Sequence, residues 1–179
     1  ILGFSKLICV DRVTKAISDS RENWHWLEKQ GLIPGGSRLL NFHLGDARVL
    51  ANGIIAPRSV EAVVSEGYLG EPMGRVTVAE IHKRVEELLA LYHQSFEEFR
   101  KILRPGGRVA MTFPVFLLDR HKYYLPITHL IAKLGFKPLL ALPANARKSG
   151  VLEVSERGSV LYGREDQKVW REVFVWRME

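Results

Sequence analysis

A mixed α/β fold, with a mostly parallel sheet closed by an antiparallel hairpin, is what this sequence predicts. Three observations carry the prediction. Short apolar runs bounded by turn residues alternate with longer stretches of helical period. One of those stretches, Thr77 to Leu103, is amphipathic along its whole length. The tail alternates apolar and polar residues on either side of a glycine-containing turn, as a hairpin does.

The elements follow in order. Lys6 to Val10 is a short apolar run ending at Asp11, the pattern of a buried parallel strand. Val13 to Gln30 carries Val13, Ala16, Ile17, Trp24 and Leu27 at helical spacings, and Gly31 stands where a C-cap belongs. Pro34-Gly35-Gly36 is a turn, Arg38 to Leu44 a second strand, and Gly45-Asp46-Ala47 breaks it. Val60 to Val64 is a third apolar run, closed by Ser65-Glu66-Gly67-Tyr68-Leu69-Gly70. In the long helix, Thr77 and Glu80 have the spacing of a capping box. Arg104-Pro-Gly-Gly107 is a turn that ends the helix, and Arg108 to Phe113 a strand. Tyr124 to Leu134 is predicted helical, and Gly135-Phe136 opens an apolar run to Leu142. Ala144 to Glu156 is a loop, after which Ser159–Tyr162 and Val169–Trp176 form the hairpin.

Composition bounds the function. The chain has 179 residues, 46% of them apolar and 26% charged, which excludes a disordered chain and fits one domain with one core. No uncharged apolar run is long enough to span a bilayer, so no membrane association is expected. The single cysteine, Cys9, permits no internal disulfide and favours a reducing, cytoplasmic setting. The start, Ile1-Leu-Gly-Phe, has neither a basic n-region nor an initiator Met, so it reads as a chain entered in mid-element rather than as a signal peptide. A formal charge of +6 suits a polyanionic partner without naming one.

Ligands of a parallel sheet bind beyond the carboxyl ends of its strands. Three acids stand at such ends in succession: Asp11, Asp46 and Glu66. A carboxylate there can accept from both ribose hydroxyls of an adenosine cofactor, and a second can accept from the adenine amine. Any one of them can equally cap the following helix; three in series favour a ligand site. In the Glu66 loop an acid, a glycine and an aromatic offer an acceptor and a π face, which suits a flipped-out base. An ordinary surface turn with Tyr68 packed on a neighbour accounts for the same residues. The six histidines lack metal-ligand spacing, and neither a Walker loop nor a nucleophile elbow is present. Trp24 and Trp26 are expected to be packing residues.

Together these residues resemble the Rossmann-like S-adenosylmethionine-dependent methyltransferases. More narrowly, they are similar to the RNA methylase family that includes the THUMP-associated tRNA guanosine-N2 methyltransferases. Leu7-Ile-Cys-Val-Asp11 and the helix carrying Ser20-Arg-Glu-Asn23-Trp resemble the family's second motif. Gly45-Asp46-Ala47-Arg48 resembles its adenine segment, and Val63-Val-Ser-Glu66-Gly-Tyr68-Leu-Gly70 its acidic-Pro-Pro-aromatic loop. Leu103-Arg-Pro-Gly-Gly107 resembles its pre-strand turn, and Tyr162-Gly-Arg-Glu-Asp-Gln167 with Arg171-Glu-Val-Phe-Val-Trp176 its closing hairpin.

The resemblance implies a Rossmann-like methyltransferase sheet lacking its first strand and glycine-rich turn. Residues 1–179 would then be one N-terminally incomplete catalytic domain. It further implies S-adenosylmethionine as cofactor, with Asp11 and Arg12 at the ribose and Asp46 and Ala47 at the adenine. Glu66 and the carbonyl of Gly67 would hold the target amine, and Tyr68 would stack on the base. The substrate implied is guanine N2 in a structured RNA such as tRNA, with Arg75, Lys137, Arg147 and Lys148 as candidate phosphate contacts. A DNA amino-methyltransferase and a non-catalytic nucleic-acid-binding remnant of the fold stay open as alternatives. Gly67 stands where the family has proline, and glycine there is expected to loosen the loop.

Overall fold

The structure is a computed structural model that describes residues 4, 6–33, 40–72, 76–143, 145–146, 152–164 and 166–179. The Pro34-Gly35-Gly36 turn, the start of the second predicted strand at Arg38, and Arg75, Arg147 and Lys148 lie outside the described residues. Contacts divide the chain into two units, residues 1–55 and 56–179, and each is described by itself.

In the first unit, β1 (Leu7–Asp11) pairs in parallel with β2 (Leu40–Leu44), Leu7 opposite Leu40 and Asp11 opposite Leu44. The helix α1 (Thr14–Lys29) connects them. Its end is set by Gly31, whose φ of +65° is one that side chains resist and whose N–H donates to the Glu28 carbonyl at 3.0 Å. Trp26 is 57% exposed, so the expectation that both tryptophans of this helix pack fails for it.

Among its described residues the second unit forms a seven-stranded sheet, with helices between successive strands in the chain. β3 (Val60–Glu66) runs parallel to β4 (Leu103–Leu118), with Glu66 opposite Thr112. β9 (Val169–Met178) lies antiparallel beside β4, so it sits inside the sheet rather than at its edge. β8 (Val160–Tyr162) and β6 (Phe136–Leu139) each pair antiparallel with β9, and β7 (Glu153–Val154) pairs with β8. The predicted hairpin is therefore the β8–β9 pair, Tyr162 opposite Arg171. Among the described residues β1 pairs only with β2, and β3 only with β4.

The core of this unit is aromatic. α2 (Val78–Ile102) begins at the predicted capping box: the Glu80 N–H donates to Thr77 Oγ1 at 3.2 Å, and the Thr77 N–H to Glu80 Oε2 at 3.0 Å. Its apolar face buries Tyr92, Phe96 and Phe99. The Phe96 ring lies 5.1 Å from Phe136 and 6.3 Å from Trp176, and the Tyr92 ring meets Phe113 edge-on at 4.9 Å. Phe174, Trp176 and Met178 of β9 face this core, whereas Arg171, Val173, Val175 and Arg177 alternate onto the other face.

Several boundaries differ from the prediction: the predicted Ala144–Glu156 loop contains β7, whose Glu153 and Val154 pair with Leu161 and Val160 of β8, and each of the others has a physical reason. β4 absorbs the Arg104–Gly107 turn as an irregularity, its register shifting between Val60 and Ala62, with Gly106 at φ +77°. It also runs on to Leu118, and Pro114 is tolerated because β3 pairing ends at Thr112 and pairing with the next strand starts at Val115. That strand, β5 (His121–Tyr124), returns through Asp119 and Arg120, both at positive φ as a two-residue hairpin demands. The predicted helix from Tyr124 is therefore shortened to α3 (Ile127–Lys133), because Pro126 keeps Leu125 out of helical geometry. Among the described residues no helix is long and apolar enough to cross a membrane.

Candidate functional site

The predicted site residues fall into two groups, one in each unit. In the first unit, the parallel pairing of β1 with β2 brings Asp11 and Asp46 to the same end. The Gly45 N–H donates to the Asp11 carbonyl at 2.9 Å, linking the two strand ends. A Cβ at Gly45 would press on the end of the Ile54 side chain, which would have to turn aside to admit it.

Asp11 is exposed, and its Oδ1 accepts the Val13 N–H at 2.7 Å. It thus fixes the turn into α1, as a capping acid would, while among the described residues Oδ2 has no partner. That second oxygen fits a ribose hydroxyl. Asp46 is different. Its Oδ1 accepts both the Arg48 N–H and Arg48 Nε at 2.9 Å, and its Oδ2 accepts from Arg48 Nη2 at 2.6 Å. This bidentate pair holds its carboxyl at about 2, well below the usual value, with Arg12 adding a smaller pull. An adenine amine would have to share Asp46 with Arg48. Ala47 is exposed in the same turn, and Arg12 is exposed beside Asp11.

A lowered carboxyl favours the folded state above the ordinary value of 3.8, and this contribution is lost as the pH falls from there through about 2. Arg48→Met is accordingly expected to return the Asp46 titration toward 3.8, read from its carboxyl carbon by NMR. A midpoint unmoved by the substitution would contradict the pairing.

In the second unit, Glu66, Gly67 and Tyr68 leave the carboxyl end of β3 together. Gly67 is buried, and its N–H donates to Thr112 Oγ1 at 3.2 Å. A Cβ at this position would lie 2.5 Å from the Thr112 carbonyl oxygen and 3.0 Å from the Tyr92 hydroxyl. Glycine therefore does not loosen the loop; it lets the backbone press against β4 and α2. The Tyr92 hydroxyl donates to the Tyr68 carbonyl at 2.7 Å, and burial pushes that phenol well above its usual range. The Tyr68 ring is 42% exposed and its hydroxyl donates to Glu71 Oε1 at 2.5 Å, so it is not packed away.

Glu66 is held from an unexpected side. Arg171 Nε donates to Glu66 Oε1 at 2.6 Å, reaching across β4. The registers explain the reach: Glu66 lies opposite Thr112, Thr112 opposite Val173, and Arg171 is two residues along β9 on the same face. Because β9 is antiparallel, its early residues arrive at the carboxyl end of β3. Sequence reasoning assigned no site role to Arg171, Tyr92 or Thr112. Only the polar tip of Tyr92 on an otherwise apolar helix face hinted at a role.

Of the candidate phosphate contacts, Lys137 is described. It is exposed on β6 opposite Arg177, which lies opposite Arg108. That row sits at the amino end of β4, away from Glu66.

No family profile and no curated protein matches the chain. Solved structures do. TrmN from Thermus thermophilus matches with a TM-score of 0.53 at 19% identity, over 97% of this chain and 36% of that one. A candidate sarcosine dimethylglycine methyltransferase from Galdieria sulphuraria matches at 0.54 and 12%, over 96% and 69%. The [4+2]-cyclase SpnF matches at 0.56 and 12%, over 97% and 66%. The chain thus spans about a third of the length of TrmN. At such identities the likeness concerns the fold, and a cyclase shares it with a methyltransferase. The chain has the mixed α/β, methyltransferase-like Rossmann fold.

Proposed function

We propose that residues 1–179 belong to one catalytic domain that transfers a methyl group from S-adenosylmethionine to an exocyclic amine of an RNA base, guanine N2 of a tRNA. The observation that carries this is the Glu66–Gly67–Tyr68 loop: a held carboxylate, a buried glycine and a half-exposed ring at one strand end.

Asp11 supports the cofactor assignment through its unpartnered oxygen, with Arg12 beside it and Ala47 next to the Arg48-bound Asp46. When bound, the cofactor supplies an electrophilic methyl on a positively charged sulfur. Glu66 accepts a hydrogen bond from the target amine, with the Gly67 carbonyl as a second acceptor, which turns the nitrogen lone pair toward that methyl. Held by Asp11 and Arg12, the cofactor would give its methyl to that nitrogen and depart as a neutral thioether, and the extra proton on the nitrogen would pass to solvent. Positioning supplies most of the rate in such a displacement. Tyr68 offers a face for the base to stack on.

A non-catalytic nucleic-acid-binding remnant is the second reading, favoured by one observation: Arg48 already occupies both oxygens of Asp46. Incubation with methyl-labelled cofactor and an unmodified tRNA transcript separates the two. Label recovered as N2-methylguanosine is expected. Label on adenine or cytosine amines of DNA instead would move the substrate to the DNA alternative, and RNA binding without label would support the remnant.

A further inference from the structure

We propose that Arg171 is a positioning residue for Glu66, fixing the direction from which that carboxylate meets the target amine; this rests on the role given to Glu66 above. Three observations carry it. First, the contact is a single charge-assisted bond from Nε to Oε1 at 2.6 Å, which ties down one carboxyl oxygen. Among the described residues Oε2 has no partner, so the oxygen left to accept from a substrate is the one whose direction Arg171 sets. Second, the Glu66 side chain is 60% exposed and that of Arg171 31%, so no packing around the carboxylate would hold it if the guanidinium were removed. Third, the two residues are 105 apart in sequence and separated by a whole strand, so the pair fixes β9 and the β3 loop in one geometry at the end where the loop begins.

The sheet supplies its own comparison. Arg104 Nη1 meets Glu61 Oε1 at 2.8 Å, with side-chain exposures of 55% and 64%. This pair also joins β3 to β4, but Glu61 is the second residue of β3, at the end remote from the loop. If surface ion pairs of this sheet mattered only for stability, the two pairs would behave alike. A pair so exposed contributes little to stability, whereas misplacing a reacting group by about 1 Å costs as much as 100-fold in rate.

The test uses the full chain and two readouts. For methyl transfer to a tRNA transcript, Arg171→Met is expected to lower kcat between about 10- and 100-fold with KM for the RNA changed less than about threefold. Arg171→Lys, which keeps the charge and loses the directed Nε–H, should recover part of that rate, and Arg104→Met should leave it unchanged. In parallel, the Arg171 Nε–H resonance should lie downfield in the parent and move toward the free-arginine position in Glu66→Gln, whose neutral amide is the weaker acceptor. Arg171→Met with parental kcat, while Glu66→Ala is inactive, would overturn the positioning role and leave the proposed function standing. An Nε–H signal indifferent to Glu66→Gln would overturn the contact itself. Absence of transfer by the parent would overturn the functional reading and with it the catalytic part of this proposal, and the Nε–H signal would then report on the contact alone.

Discussion

Gly67→Pro is expected to destabilise the unit formed by residues 56–179 by about 3 kcal/mol, and Gly67→Ala by about 2 kcal/mol. Two losses combine in the proline. Any Cβ would lie 2.5 Å from the Thr112 carbonyl oxygen, and the Tyr92 hydroxyl at 3.0 Å closes the other side, so the backbone must shift. Such overpacking costs roughly 1–3 kcal/mol. Proline also removes the N–H that donates to Thr112 Oγ1, and a lost hydrogen bond with a part-buried partner costs about 1 kcal/mol more. Alanine incurs only the first loss, so the difference between the two variants measures the bond. Urea unfolding of parent and variants checks this, and a Gly67→Pro variant within about 0.5 kcal/mol of the parent would contradict the packing.

The second large effect is on chemistry. Glu66→Ala is expected to reduce methyl transfer to RNA by about 100-fold or more while leaving the fold intact, because the side chain is exposed and its side-chain contact among the described residues is a surface ion pair. The size follows from the role proposed for the carboxylate: in that role it does not need to take a proton in the rate-limiting displacement; it needs to accept one N–H so that the nitrogen lone pair faces the methyl. Losing a single oriented hydrogen-bond partner of that kind typically costs 100- to 1,000-fold, roughly 3–4 kcal/mol of barrier. Glu66→Gln should fall between the two, since an amide oxygen still accepts but the Arg171 pairing loses its charge. Initial rates at saturating RNA check the series, and a Glu66→Ala variant as active as its parent would remove Glu66 from the mechanism.

Much of the fold was legible because its signals are local. The capping box at Thr77 and Glu80, the Gly31 C-cap and the β8–β9 hairpin each depend on residues close in sequence, and each formed where expected. The misplaced boundaries depend on pairing between distant segments. Pro114 reads as a strand end, yet β9 pairs along β4 to Phe116 and carries the strand through it. Arg104–Gly107 reads as a turn, yet the β3–β4 register takes it in as an irregularity.

The same division holds at the site. Asp11, Asp46 and Glu66 could be placed at or just after strand ends because those ends are visible as the ends of apolar runs. Their side-chain partners differ in how near they lie: Arg48 is two residues from Asp46, while Arg171 reaches Glu66 across 105 residues and one intervening strand. Gly67 was misread for a related reason. A glycine in a loop suggests freedom, and only the nearness of Thr112 and Tyr92, both distant in sequence, turns it into a tight fit. The charge of +6 pointed to a polyanion, but the described basic row of Lys137, Arg177 and Arg108 lies away from Glu66, so net charge did not mark the site.

The proposed function requires a methyl donor bound at the carboxyl ends of β1 and β2, and calorimetric titration with S-adenosylmethionine tests that most directly. The parent chain is expected to bind it, with Asp11→Ala weakened about tenfold or more through loss of a charge-assisted bond to the ribose. No heat of binding from a folded parent chain that still retains tRNA would contradict the methyltransferase and leave a nucleic-acid-binding remnant in its place.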